Sequence, residues 1–172
     1  MIGSTWVLLH GTPLTRGIWA EVAGRLDGRV VVPDLTDVPS TDAAYALAAR
    51  AAADLPAGDW HVVGHSFGGQ VALEIALAHP DRVAGLTVVC SRDTPVPGFA
   101  RLARAVRAGE GPPAHATLAR WFTDEELAAD GVAVGQARAD LEAALHAPDA
   151  WANALQAISI YDRSAEVGRL RI

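Results

Sequence analysis

The stretch that decides the fold of this chain reads His61-Val62-Val63-Gly64-His65-Ser66-Phe67-Gly68-Gly69. The run His61–Val63 is typical of a short buried strand, and the glycine-rich segment Gly64–Gly69 predicts a tight turn. The almost wholly apolar stretch Gln70–His79 follows and predicts a buried helix, which Pro80 ends. A strand, a turn and a helix in this order indicate one unit of a parallel sheet.

Three further apolar runs continue the pattern in both directions from this unit, at Trp6–Leu9, Val30–Val32 and Leu86–Val89. Between them, apolar residues recur at helical spacing over 18–26, and an alanine-rich stretch over 42–54 predicts another helix. Continuous apolar strands that alternate with helices are typical of α/β proteins. The sequence therefore predicts a mainly parallel sheet with flanking helices.

The pattern changes after the fourth predicted strand. Prolines punctuate the following residues, and apolar positions at helical spacing predict five helices and no strand. The third of these helices begins at the capping box Thr123-x-x-Glu126. We therefore expect a core over residues 1–91, a helical cap over 92–165 and a return towards the core over 166–172.

Composition limits the classes of partner. The chain has 172 residues, a net charge of −6, 20% charged residues and no lysine, so all 14 basic residues are arginine. This length suits one compact domain, and the balance of apolar and charged residues argues against disorder. An acidic chain without a basic cluster does not suggest nucleic acid as a partner.

Targeting signals and long apolar runs are not found in the sequence. No run approaches the roughly 18 residues that cross a bilayer, and the start has no basic segment typical of a signal peptide. Cys90 stands alone, which excludes an internal disulfide or a cysteine-based zinc cluster, and its place at a strand end predicts burial. We expect a cytoplasmic protein with no membrane contact.

The strongest chemical signal is Gly64-His65-Ser66-Phe67-Gly68, a G-x-S-x-G pattern between a strand and a helix. In this context the pattern predicts a nucleophile elbow, a strained turn that exposes the serine hydroxyl above the sheet. Gly64 and Gly68 leave room at the strand–helix junction, and the helix dipole favours negative charge beside Ser66. The alternative is a plain turn without chemistry.

A second signal follows the first predicted strand, where the sequence reads His10-Gly11-Thr12-Pro13. Ligands of parallel sheets bind beyond the carboxyl ends of the strands, so this loop and Ser66 should share one rim. The N–H groups of Thr12 and Phe67 are therefore candidates for an oxyanion hole, and His10 and Gly11 support the motif. A rigid turn built by Gly11 and Pro13 is the alternative.

These motifs together resemble a known family. The order Leu8-Leu9-His10-Gly11, Val32-Pro33-Asp34-Leu35 and Gly64–Gly69 resembles the α/β-hydrolase superfamily over nearly the whole chain. The segments Arg120–Thr123 and Ile160–Ile172 are similar to the branch of 3-oxoadipate enol-lactonases and small esterases. The resemblance implies a serine hydrolase with a helical cap, in which Ser66 is the nucleophile and Thr12 and Phe67 supply the oxyanion N–H groups.

The resemblance also implies a missing part. In this family the triad acid and histidine usually follow strands that come after the cap, and the sequence ends at Ile172. We therefore expect residues 1–172 to be insufficient for catalysis, with a complementary C-terminal segment carrying both groups. Within the chain, Asp93 follows the fourth predicted strand and is a candidate acid, while a loop aspartate that caps a turn is the alternative.

The predicted function is hydrolysis of an ester or lactone bond of a small molecule through an acyl-enzyme on Ser66, with no metal and no organic cofactor. Two alternatives remain open: a binding module that keeps the pocket without the chemistry, and a carbon–carbon bond hydrolase that uses the same serine. Arg101, Arg104 and Arg107 recur along one helix, which indicates either a solvated face or attraction of a substrate carboxylate. Substrate identity and oligomeric state stay open.

Overall fold

Four parallel strands form one sheet in the structure, a computed structural model that describes residues 4–172. They are β1 (Thr5–Leu9), β2 (Arg29–Val31), β3 (Trp60–His65) and β4 (Val83–Val89), in the order β2-β1-β3-β4. Every pairing is parallel, and β1 is in register with β3 from Thr5 opposite Trp60 to Leu9 opposite Gly64. The predicted parallel α/β sheet is confirmed.

Helices connect the strands and then fill the second half of the chain. Those between strands are α1 (Ala20–Ala23), α2 (Ala46–Ala53) and α3 (Phe67–Ala78). Those after β4 are α4 (Gly98–Arg107), α5 (Ala114–Trp121), α6 (Asp124–Ala129), α7 (Val132–His146), α8 (Pro148–Ile160) and α9 (Ser164–Val167). Both hydrogen bonds of the predicted capping box are present at the start of α6. In residues 4–172 no helix is long and apolar enough to span a membrane.

The helix predicted over residues 18–26 is much shorter than expected. A 3-10 turn over Arg16–Trp19 leads into the single turn of α1, which ends at Gly24. Glycine destabilises a helix interior by about 1 kcal/mol relative to alanine, and a second glycine follows at position 28. The apolar spacing of Ile18, Val22 and Leu26 therefore did not suffice to continue the helix.

The main core lies between the sheet and helices α2, α3 and α8. It is formed by buried apolar side chains from these elements, among them Val7, Leu9, Val62, Val71, Ile75, Ala154 and Ile158. A second cluster joins the helices after β4 and includes Ala103, Val106, Leu118, Leu141, Trp151 and Leu155. Because α8 contributes to both clusters, it fixes the helical segment (residues 98–160) to the strand-containing part. The division at residues 91 and 165 stays a prediction.

Strand β4 lies at an edge of the sheet, since β3 is its one strand neighbour within residues 4–172. Val88 and Val89 are 36% and 39% exposed there. Cys90 directly follows with φ 51° and is also exposed. The prediction that Cys90 is buried is therefore wrong, because no neighbouring element among the described residues covers this edge.

Candidate active site

Ser66 lies on the sharp turn between β3 and α3. Its φ of 53° and ψ of −119° fall in a region that residues with a side chain rarely adopt, at a cost of about 1–3 kcal/mol. Two backbone hydrogen bonds hold the turn: the Ser66 N–H donates to the Val89 carbonyl, and the Gly69 N–H donates to the Ser66 carbonyl, both at 2.9 Å. The serine therefore stands at the carboxyl end of β3 and at the N-terminus of α3.

Gly64 and Gly68 lie where the strand and the helix approach each other most closely. A Cβ at Gly68 would stand 2.5 Å from the His10 carbonyl oxygen, and one at Gly64 would stand 2.7 Å from the Gly69 Cα. Backbone atoms cannot move away from such contacts cheaply. Glycine at both positions therefore lets the first turn of α3 pack directly against β1 and β3.

The loop after β1 lies beside Ser66. A Cβ at Gly11 would stand 2.9 Å from the Ser66 Cβ. His10 is buried and fixes this loop: its ring Nδ1 donates to the Gly11 carbonyl at 3.1 Å, and the Leu35 N–H donates to its Nε2 at 2.8 Å. Burial lowers the pKa of His10, and this hydrogen-bond pattern assigns the neutral tautomer. His10 is thus a structural residue with no ring nitrogen left for Ser66.

The two candidate oxyanion donors are neighbours in sequence of Ser66 and of Gly11, the loop residue that lies against it. Phe67 is the first residue of α3, and Thr12 directly follows Gly11. Within residues 4–172, neither backbone N–H donates a hydrogen bond to another backbone carbonyl or to a side chain. The first N–H groups of a helix have no partner inside it and carry partial positive charge. Both N–H groups therefore have no acceptor among the described residues, and their role as oxyanion donors stays a prediction.

A cavity of about 150 Å³ opens at Ser66. The elbow, the loop after β4, and helices α4 and α8 line it, with Ser66, Gln70, Ser91, Arg92, Val96 and Phe99 among the lining residues. Asp93 is not one of them, although it follows Arg92. The Asp93 carbonyl accepts a hydrogen bond from the Arg163 N–H at 2.7 Å. The structure therefore brings Ser66 and the loop after β4 together but leaves Asp93 outside the cavity lining.

Gln70 is a site residue that sequence reasoning missed. It lies four residues after Ser66 on α3, lines the cavity and is only 2% exposed. The Tyr45 hydroxyl donates to its Oε1 at 2.5 Å, and its Nε2 donates to the Arg92 carbonyl at 3.2 Å. Gln70 thus links α3 to the loop after β4. The available signal was an amide one turn after the serine, in a helix whose one other polar side chain is Glu74.

A second polar cluster links the end of α8 to α3. The Tyr161 hydroxyl donates to Glu74 Oε1 at 3.0 Å, and Arg163 Nε donates to the same oxygen at 2.7 Å. Burial, followed by the Glu74 charge, raises the pKa of Tyr161. The phenol therefore stays a protonated donor at neutral pH. These bonds hold the chain where it leaves α8 against the helix that begins at Ser66.

Comparison with protein families identifies the chain. The model of the alpha/beta hydrolase family matches residues 6–170. The chain belongs to the alpha/beta hydrolase family. The resemblance to the superfamily is thereby confirmed.

Two esterases and an enol-lactonase are among the proteins that this alpha/beta hydrolase is similar to. A pimeloyl-[acyl-carrier protein] methyl ester esterase of Chromobacterium violaceum is 41% identical over 96 residues, which cover 52% of this chain and 37% of that protein. A thermophilic esterase of Thermogutta terrifontis has a TM-score of 0.75 at 26% identity, covering 96% of this chain and 66% of the other. An enol-lactonase of Burkholderia xenovorans has a TM-score of 0.79 at 18% identity, covering 99% and 70%.

The match spans little more than a third of the curated relative's length. The likeness to the enol-lactonase, at 18% identity, shows the fold alone. The resemblance to the branch of enol-lactonases and small esterases therefore stays a prediction.

No histidine of residues 4–172 lines the cavity of this alpha/beta hydrolase with Ser66. His61 stacks on Trp6 with ring centroids 4.8 Å apart, and His146 is hydrogen-bonded to the carbonyl of its own helix. His65 is directly beside the serine, and burial lowers its pKa. Within the same residues, no group of three His, Cys, Asp or Glu side chains could hold a metal ion.

Proposed function

We propose that this chain supplies the nucleophile and the oxyanion donors of a hydrolase that cleaves an ester or lactone bond of a small molecule. The observation that carries the proposal is the backbone of Ser66, a serine with φ 53° at the N-terminus of a buried helix. Strained non-glycine residues cluster at active sites, where the surrounding fold holds them in place. A plain connection between β3 and α3 needs no serine in this conformation.

The proposed reaction has two halves. Ser66 Oγ attacks the ester carbonyl carbon, its proton passes to a general base, and the carbonyl oxygen becomes an anion held by the N–H groups of Thr12 and Phe67. The alkoxide leaves with that proton, and the acyl group remains on Ser66. Water then attacks the acyl-enzyme by the same route and releases the acid. Each oxyanion donor is expected to contribute about 10²–10³ in rate.

The general base is proposed to lie outside residues 4–172. His10 uses both ring nitrogens for the loop that it fixes, and none of the other histidines lines the cavity. The chain also spans less than two fifths of the curated relative it matches. We therefore assign the triad histidine and its acid to a complementary C-terminal segment, and Asp93 stays a weaker candidate for the acid.

A binding module without chemistry is the second candidate. The observation that favours it is the same lack of a histidine in the lining of the Ser66 cavity within the described residues. In that case the cavity would retain ligands without cleaving them. Ser66 would then be strained for no catalytic purpose, which is why the hydrolase is preferred.

Hydrolysis of p-nitrophenyl acetate by the full gene product tests the proposal. Ser66→Ala should reduce kcat/KM to background, because the acyl-enzyme cannot form. Ser91→Ala is the matched control, since Ser91 is a second serine in the lining of the same cavity, and it should keep activity within a few-fold. Equal losses in both variants, or turnover that survives Ser66→Ala, would contradict the proposal.

A further inference from the structure

A larger open groove adjoins the Ser66 cavity. Its volume is about 440 Å³, within the range of roughly 300–1,000 Å³ that is usual for small-molecule sites. Val96 and Phe99 line both spaces, so the groove and the cavity are neighbours on either side of these two side chains. The groove continues along α4, where Leu102 and Ala105 add to an apolar wall.

Two arginines from different elements complete the groove. Arg101 extends from α4 and Arg120 from α5, and both line the same space. Both residues are exposed, and among residues 4–172 neither has a carboxylate within ion-pair distance. The groove therefore combines an apolar wall with two guanidinium groups that carry no internal counter-charge.

The neighbouring arginines of α4 behave differently. Arg107 donates to Asn153 Oδ1 at 2.8 Å and lies 3.8 Å from an Asp149 oxygen, so it belongs to the contact between α4 and α8. Arg104 is exposed and does not line the groove. Of the three arginines that recur along this helix, only Arg101 faces the groove. A chain with net charge −6 gives no general attraction for anions, so a basic groove is a local feature.

We propose that this groove binds the anionic end of the substrate, an ester with an apolar chain that ends in a carboxylate. The inference rests on the proposed function, because the reactive carbonyl is assigned to Ser66 and the apolar chain to the side chains of Val96 and Phe99, which line both spaces. Guanidinium groups bind carboxylates through paired, charge-assisted hydrogen bonds. The apolar wall accepts the methylene chain, and Arg101 and Arg120 select substrates by the charge at its far end.

Direct binding tests the groove without hydrolysis. Octanoate and the uncharged octanamide are titrated calorimetrically into the Ser66→Ala protein, alone and combined with Arg101→Gln and Arg120→Gln. We expect octanoate to bind about tenfold more weakly after the double arginine change and octanamide to be unaffected. Arg104→Gln is the matched control on the same helix. Equal weakening by Arg104→Gln, or equal binding of octanoate and octanamide before any arginine is changed, would overturn the proposal.

A steric variant gives a second, independent measurement. Gly98 lines the groove, and a Cβ added there would meet no atom within 4 Å, so Gly98→Leu should fold while filling the groove. It should weaken octanoate binding, because the added side chain occupies the space that the alkyl chain would fill. Unchanged octanoate binding in Gly98→Leu would contradict the assignment.

Kinetics separate a failure of this inference from a failure of the proposed function. The mono-p-nitrophenyl ester of octanedioic acid carries a carboxylate at its far end. For this ester, the double variant with Arg101→Gln and Arg120→Gln should raise KM about tenfold with kcat unchanged. The uncharged p-nitrophenyl octanoate should show no change. Hydrolysis of both esters without any arginine dependence refutes the groove alone. Arginine-dependent octanoate binding without any hydrolysis refutes the function and leaves the groove standing.

Discussion

Asp140 on α7 holds the loop next to Ser66, and Asp140→Ala tests how strongly that contact stabilises the chain. Its carboxylate is buried and accepts hydrogen bonds from the Thr15 N–H at 2.9 Å, the Thr15 hydroxyl at 3.1 Å and Gln136 Nε2 at 2.8 Å. Thr15 is three residues after Thr12, the proposed oxyanion donor. The contact therefore ties the helical segment to the loop on which the proposed chemistry depends.

The expected loss follows from these three bonds. A hydrogen bond to a charged group contributes about 1.5–3 kcal/mol, and a buried donor left without a partner costs about 1–3 kcal/mol. The Gln136 amide and the Thr15 hydroxyl are half-buried and can turn to water. Most of the lost free energy therefore comes from the Thr15 N–H, which is left without its acceptor. We expect Asp140→Ala to lower the free energy of unfolding by about 2–4 kcal/mol. Asp140→Asn keeps an acceptor oxygen and should lose about 1–2 kcal/mol.

Urea unfolding followed by circular dichroism measures these free energies, with hydrogen exchange of the Thr15 amide as a local readout. Asp149→Ala is the matched control, since its side chain is 85% exposed and its ion pair with Arg107 is 3.8 Å long. It should change stability by less than about 0.5 kcal/mol. If Asp140→Ala costs no more than Asp149→Ala, or leaves the Thr15 amide as protected as before, the reasoning is refuted.

Three further predictions concern the elbow and its buried histidine. Gly68→Ala should destabilise the chain by at least about 3 kcal/mol in urea, because its Cβ meets a backbone carbonyl, whereas Gly98→Ala should be neutral or stabilising. Ser66→Gly should be about 1–2 kcal/mol more stable than Ser66→Ala, since only glycine tolerates this backbone without strain, and equal stabilities would disprove the strain. Burial lowers the folded-state pKa of His10, so its contribution to stability is complete above the unfolded pKa of about 6.5 and declines below it. The urea concentration at the unfolding midpoint should therefore be lower at pH 5.5 than at pH 7.5. This difference should be smaller in His10→Asn and unchanged in His115→Gln.

The sheet and the elbow could be predicted because their signals are local. Apolar runs such as Val62–Val63 have few alternatives to a buried strand, and the glycines at 64 and 68 mark a junction that excludes side chains. The capping box at Thr123 was equally local, since both of its hydrogen bonds close within four residues. Where the signal was weak, over residues 18–26, the predicted helix was too long.

The contacts around the site could not be predicted because they join residues far apart in the sequence. Asp140 and Thr15 are separated by 125 positions, and Tyr161 and Glu74 by 87. No local pattern indicates which helix after β4 returns to which loop. The exposure of Cys90 depends likewise on which elements cover the edge of the sheet, a property of the assembled fold rather than of the residue.

The central claim is that Ser66 is the nucleophile of a hydrolase, and fluorophosphonate labelling of the full gene product tests it most directly. Peptide mass spectrometry should find one phosphonylated residue, on the peptide that contains Ser66, and the adduct should vanish in Ser66→Ala while Ser91→Ala is labelled normally. An adduct on another residue, or no adduct in a folded protein that still binds octanoate, would contradict the account.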